Sequence, residues 1–186
     1  MTEPAPHDGA RPERMHRLFF ALWPTDALRT SLEPGIRALQ PTGVGRPQRP
    51  DQWHLTLEFL GAVPAARLAD ARAAADAVRA PCCEILLDAV EFWRRPEVLC
   101  LVARETPPPL AELVAQLRGA LAGRGFQVES RPFRAHLTLA RKVHQPVAAM
   151  PFAPLHWPVE SFALVESVTD RAGSVYTPLA YWRIGP

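Results

Sequence analysis

The sequence predicts an α+β fold, and three observations carry that prediction. Segments with apolar residues at strand spacing are interleaved with segments at helical spacing, in the order β-α-β-α-β-β-α-β-β-loop-β-β. This lacks the regular β-α alternation of a doubly wound parallel sheet. Runs 84–93 and 98–104, and again 160–168 and 175–184, are separated by short turn-rich segments, which predicts antiparallel hairpins. The third observation is a repeat: His54-Leu55-Thr56-Leu57 recurs 82 positions later as His136-Leu137-Thr138-Leu139. Each copy sits in a strand-type run (53–60 and 133–140), and a helix is predicted before each. Such a repeat suits two halves related by a pseudo-two-fold, with the motif strands facing each other across a groove.

Taken in order, residues 1–15 are rich in Pro, Gly and charge and are predicted to form a disordered tail, with one domain over 16–186. Arg17 to Trp23 (RLFFALW) is apolar enough for a central strand. Thr25 or Asp26 caps a helix to about Leu39, whose stripe is Leu28, Leu32, Ile36 and Leu39. Pro34 should kink or interrupt it. Residues 41–50 (PTGVGRPQRP) read as a loop leading into the first motif strand, which Gly61 should close. Pro64 starts an Ala-rich helix to about Arg79 with few large apolar residues, suited to the surface. Pro107 to Pro109 start a helix with Leu110, Leu113, Val114, Leu117 and Leu121 as its stripe, stopped by Gly123 and Gly125. Phe126 to Glu129 reads as a short strand, and 141–157 as irregular.

Composition narrows the function. The chain has 186 residues, 48% hydrophobic and 22% charged, with a net charge of +2. That is an ordinary globular balance, with room for a local anion pocket but not for a long nucleic-acid-wrapping surface. No run reaches the roughly 18 apolar residues of a membrane span, and the N-terminus lacks a signal-peptide core. The three cysteines (Cys82, Cys83, Cys100) are odd in number, have no metal-ligand spacing, and fit reduced thiols. A cytoplasmic monomer is expected.

The chemistry lies in the repeated tetrapeptide. In a strand, alternate side chains share a face. Leu55, Leu57, Leu137 and Leu139 can then be buried while His54, Thr56, His136 and Thr138 share the opposite side. One neutral imidazole can accept a proton while a second, charged, donates one. Two hydroxyls can hold the oxygens of an anion. This is equipment for opening a phosphodiester without a metal. Two histidines with no Cys, Asp or Glu at ligand spacing are a poor zinc set.

At these residues the sequence resembles the 2H phosphoesterase superfamily, named for two H-x-[ST]-x motifs, and within it the RNA 2′,3′-cyclic phosphodiesterase, or 2′-5′ RNA ligase-like, family. The markers are RLFFALWP, WHLTLEFLG, RPFRAHLTLAR and the ending LVESVTDRAGSVYTPLAYW, and they span most of the chain from Arg17. The resemblance implies a bilobal fold with two antiparallel sheets around a central cleft, and no metal or cofactor. It implies opening of an RNA 2′,3′-cyclic phosphate to a 2′-phosphate. His54 would protonate the departing 3′ oxygen, His136 would take a proton from water, and Thr56, Thr138 and Arg141 would bind the phosphate. The implied partners are RNA 3′ ends, or nucleotides, bearing the cyclic phosphate. Ala135 stands where relatives often have proline.

Other readings stay open on the residues alone. The same groups serve a ligase joining 2′,3′-cyclic to 5′-hydroxyl ends, and a non-catalytic RNA-end binding module would also use two histidines. Arg134 shares the face of His136 and can add charge to the pocket. Arg141 has the opposite parity and reaches the site only if the chain bulges after Leu139. Glu58 shares the strand face of His54, at a solvated rim. Trp53 and Phe20 are predicted core and Trp23 a candidate base-stacking ring. His7, His16, His144 and His156 are predicted at the surface, and Arg46 and Arg49 lie in a loop that can meet an RNA backbone.

Overall fold

The computed structural model describes residues 13–40, 42–147, 151–170 and 173–185. The elements are β1 (Met15–Leu22), α1 (Asp26–Leu39), β2 (Arg46–Pro47), β3 (Leu55–Pro64), α2 (Leu68–Asp76), β4 (Cys83–Leu87), β5 (Ala89–Trp93), β6 (Val98–Val102), α3 (Pro108–Ala122), β7 (His136–Arg141), β8 (Leu155–Val159), β9 (Ser161–Asp170) and β10 (Gly173–Arg183). Residues 1–12 of the predicted tail, with His7, lie outside the described residues. Its last residue, Met15, already belongs to β1, and the Arg14 carbonyl accepts a hydrogen bond from the Ala65 amide.

The fold is α+β with two antiparallel sheets, one of eight strands and one of two. The larger runs β10-β9-β1-β3-β7-β6-β5, with β2 added on β7; the smaller is β4-β8. Both motif strands lie in the larger sheet as neighbours, and their only backbone pairing is Leu55 with Leu137. These are the second residues of the two tetrapeptides. A local two-fold therefore passes between them, with four strands on each side.

One face of this sheet carries the main core. Leu18, Phe20, Leu55, Leu57, Leu137 and Leu139 bury there, as do the stripes of all three helices. Helix α1 is capped by Thr25, whose hydroxyl accepts from the Leu28 amide at 3.2 Å, and it runs through Pro34 without interruption. Pro34 forgoes one helical hydrogen bond at a cost of about 3 kcal/mol. Burying Leu32, Ile36 and Leu39 returns about 1.5–3 kcal/mol each. Helix α2 does not ride on the surface: Ala71, Ala74 and Ala75 are buried, because small side chains let it approach α3 and β10 closely. Residues 126–129 form no strand. Part of 141–157 does, since β8 pairs with β4. Strand β3 runs past Gly61, which takes a positive φ of 70°, and ends at Pro64.

Each motif strand contains a bulge at the same place. In β3, Glu58 pairs with Phe20 and Thr56 with Ala21, so Leu57 is the extra residue. In β7, Ala140 pairs with Leu99 and Thr138 with Cys100, so Leu139 is extra. A bulge reverses the parity of everything after it. Residues 58 and 140 therefore face the core, and 59 and 141 return to the histidine side. Glu58 is not at a solvated rim: it is 2% exposed and bonded to Arg118 of α3 at 2.6 Å and to the Glu129 amide at 2.8 Å. His16 is likewise no surface residue; it is nearly buried in β1, 2.6 Å from Glu166. His144 and His156 are exposed beside Glu97 and Glu84.

Removing one partner of a buried ion pair strands the other charge. Glu58→Ala is therefore expected to destabilise the protein by about 3 kcal/mol, read as a lower denaturation midpoint in urea at unchanged slope. An unaltered midpoint would show that Arg118 and the Glu129 amide find other partners.

Candidate active site

The face opposite the main core holds the motif side chains. His54 precedes β3 and His136 opens β7. Their rings are held in the same way: Nδ1 of His54 donates to the carbonyl of Gln52 at 2.7 Å, and Nδ1 of His136 to the carbonyl of Arg134 at 2.9 Å. In both cases the acceptor lies two residues upstream. A carbonyl oxygen can only accept, so each neutral ring carries its proton on Nδ1 and leaves Nε2 as a free base.

Each ring also rests on a tryptophan. Trp23 stacks on His54 with centroids 5.8 Å apart, and the Arg29 guanidinium lies 5.9 Å over Trp23. Trp93 packs on His136 at 4.6 Å, with Arg134 5.9 Å over it. Phe19 and Tyr176 complete the walls around His54, at 5.0 and 5.1 Å. Glu91 accepts from the Trp93 indole at 2.9 Å and pairs with Arg134. Burial works against the Glu91 carboxylate, yet these two donors hold it below the usual range. Arg134 is thus committed to Glu91 while still bordering the His136 cavity.

Two cavities meet at the motif residues. One, of about 520 Å³, is lined by His136, Thr138, Trp93 and Arg134 among others; the other, of about 250 Å³, by His54, Arg17, Phe19 and Tyr176. Thr56, Phe59 and Arg141 line both. The five site residues expected from sequence therefore come together, and Arg141 does so by the bulge at Leu139. Phe59 is its counterpart. Each stands five residues after its histidine and beyond its bulge, and Phe59 is 46% exposed.

Burial lowers the His54 pKa to about 4; the Gln52 carbonyl opposes this, and the positive charges of Arg141 and His136 add to it. Burial also lowers that of His136, opposed by the Arg134 carbonyl and reinforced by Arg141 and Arg134. Without a ligand both rings are neutral at pH 7. A bound anion reverses the sign of the local field and favours the imidazolium. Burial pushes the neighbouring Cys100 thiol up to about 12, so it stays protonated and is no nucleophile. Among the described residues no three His, Cys, Asp or Glu side chains gather where one metal ion could be held.

Sequence reasoning misses Phe19, Phe59, Trp93 and Tyr176. Phe19 hides in a run that is apolar on both strand faces. Phe59 has the wrong parity until the bulge is known. Trp93 and Tyr176 carry no local signal, since β5 and β10 reach the site only through the sheet order. Trp53 and Phe20 are core as expected, and the indole of Trp53 donates to the Gln48 carbonyl at 3.2 Å.

A family model described as the 2′-5′ RNA ligase superfamily matches residues 26–171, a span that contains both tetrapeptides. The chain is 34% identical over 170 residues to the RNA 2′,3′-cyclic phosphodiesterase of Escherichia coli (strain K12), covering 90% of this chain and 96% of that protein. It is 31% identical over 173 residues to the RNA 2′,3′-cyclic phosphodiesterase of Thermus thermophilus, covering 88% and 87%. The crystal structure of E. coli LigT complexed with 3′-AMP matches the fold with a TM-score of 0.83 at 33% identity, covering 93% of this chain and all of that one. On the family match and these relatives, the chain belongs to the 2′-5′ RNA ligase superfamily, the 2H phosphoesterases.

Proposed function

We propose that this protein hydrolyses RNA 2′,3′-cyclic phosphate ends to 2′-phosphomonoesters. The observation that carries the reading is the matched pair of imidazoles, each with Nδ1 tied to the carbonyl two residues upstream and Nε2 free beside cavities that share Arg141. The E. coli and T. thermophilus relatives carry this activity in their names, and LigT binds 3′-AMP. The partners are accordingly RNA 3′ ends or nucleotides with a cyclic phosphate. Among the described residues no helix is long and apolar enough to cross a membrane. Three unpaired thiols suit a reducing compartment, and on that ground we propose the cytoplasm.

The cyclic phosphate sits between the two histidines, with the Thr56 and Thr138 hydroxyls and the Arg141 guanidinium on its non-bridging oxygens. Phosphate charge raises both imidazole pKa values from their depressed free values. Nε2 of neutral His136 takes a proton from water, whose oxygen forms the new bond to phosphorus. The bond from phosphorus to the 3′ oxygen breaks, and Nε2 of protonated His54 gives that oxygen its proton. The phosphate remains on the 2′ oxygen. Solvent then restores the two protonation states. A 5′-hydroxyl in place of water would give 2′-5′ ligation with the same groups in the same roles; the histidines exchange roles only when that linkage is cleaved back to the cyclic phosphate.

The decisive test is a short RNA ending in a 2′,3′-cyclic phosphate, incubated in EDTA with the product's phosphate position resolved. A 2′-phosphate is expected. His54→Ala and His136→Ala should each lower turnover by roughly 10²–10⁴-fold, and the double variant little further, because the pair acts as one unit. Turnover that needs a divalent metal, or a 3′-phosphate product, would overturn the mechanism.

The pH dependence of kcat/KM reports the free protein. The rate should rise as the base loses its proton and fall as the acid loses its own. With His54 lowered to about 4 and His136 lowered from 6.5, both limbs shift down and the bell peaks below pH 6.5. The profile of kcat should lie higher, because bound phosphate raises both values. A kcat/KM plateau extending above pH 8 would exclude the paired-imidazole scheme.

A further inference from the structure

Beyond the two cavities at the histidines lies a third, of about 660 Å³, lined by the 45–49 segment, the end of β7, and Thr169, Ser174 and Tyr176 of β9 and β10. Its inner end shares Arg141 and Tyr176 with the His54 cavity, so it opens directly from the site. Its character differs from that of the His136 cavity. Both are lined by cations, but that one, with Arg95, Arg118, Arg131 and Arg134, also offers the rings of Trp93, Phe59 and Phe133; this one has Arg46, Arg49 and Lys142, with Tyr176 its one aromatic side chain. Among the described residues Arg46 and Lys142 have no acidic partner, whereas Arg49 pairs with Asp51. The one acid on the wall, Glu97, lies 3.4 Å from His144.

These cations are held by backbone, not by flexible loops alone. Arg46 pairs with Arg141 and Pro47 with Ala140, making β2 a short extra strand on β7. The Gln48 amide donates to the Leu139 carbonyl at 2.9 Å, and the Val143 amide to the Glu97 carbonyl at 3.0 Å. Gly45, at φ +68°, packs so tightly that a Cβ there would sit 2.6 Å from the Arg141 carbonyl oxygen. The segment carrying Arg46 and the turn carrying Lys142 are therefore fixed against each other as neighbours along one groove.

We propose that this groove binds the phosphodiester backbone of the RNA leading up to the cyclic phosphate, so that the enzyme favours oligonucleotide ends over mononucleotides. The inference rests on the hydrolase reading above. A cyclic mononucleotide fills the histidine site and leaves the groove empty. An RNA end continues through its 5′ oxygen, and its next phosphates need cations that are fixed, exposed and adjacent to the site. The groove is also far larger than one phosphate requires, and it sets several cations beside a single ring, which suits a backbone rather than a base.

The test compares the wild-type protein with an Arg46→Ala/Lys142→Ala double variant on a 2′,3′-cyclic mononucleotide and on a short RNA with the same terminal nucleotide. For the mononucleotide, kcat and KM should be unchanged, which also shows that the variant folds. For the RNA, KM should rise about tenfold at unchanged kcat, and the log–log salt dependence should flatten by about 0.7 for each phosphate no longer neutralised. Equal effects on both substrates, or none on either, would overturn the proposal. So would an effect confined to the 5′-hydroxyl strand in ligation. Binding of the same RNA carrying a 3′-phosphate, titrated against salt, separates the two readings. If neither substrate turns over, the hydrolase reading fails, and a salt slope unchanged in the double variant overturns the groove by itself.

Discussion

The pairing of Leu55 with Leu137 governs everything on the site face. Each leucine follows its histidine, and antiparallel pairing at equivalent positions puts His54 across from position 138 and His136 across from position 56. Each imidazole thus lies toward the other strand's threonine. A slip of one residue would send every motif side chain to the wrong face. The leucines prevent it: all four motif leucines are buried with the helices, so the register that hides them is the one that gathers the polar groups. Beyond that single pair, β3 is held by β1, and β7 by β6 and β2.

Electrostatics make the site responsive to what enters it. Buried imidazoles beside Arg141 are uncharged, so the empty protein does not confine several positive charges in one cleft. An anion supplies the field that charges them. The tryptophans fit the same logic: a ring face is electron-rich, and it can stabilise an imidazolium on one side while an arginine occupies the other. The Nδ1 bonds to Gln52 and Arg134 leave protonation to one atom of each ring. The proposed acid and base are therefore oriented before any ligand binds.

Much of this is legible in the sequence. The doubled tetrapeptide and its alternation locate the histidines, the threonines and the core leucines, because a strand's period of two needs no tertiary information. The period fails at Leu57 and Leu139. A bulge is a property of the strand pair, visible only once β1 and β6 are in register beside the motif strands. That is why alternation alone puts Glu58 on the wrong face, why it passes over Phe59, and why Arg141 can be reached only through the family resemblance. Helix α1 passes Pro34 and α2 buries its alanines for a related reason: packing energy belongs to the assembled core, not to a window of residues. Strand β2 is hidden because two residues between prolines and glycines carry no periodicity; only the edge of β7 makes them a strand.

The paired positions Phe59 and Arg141 have a consequence for direction. A two-fold symmetric cradle offers a non-symmetric guest two poses of equal energy, which differ in which group meets which histidine. The scaffold is alike on both sides: the hydrogen bond to Nδ1, the supporting tryptophan, the hydroxyl and the bulge all recur. The side chains after the bulges do not, since one is an uncharged ring and the other a guanidinium. That inequality, with Phe19 and Tyr176 packed against His54 alone, lifts the degeneracy. It gives an ambidextrous frame a handedness, so that the two poses of a bound molecule no longer have equal energy.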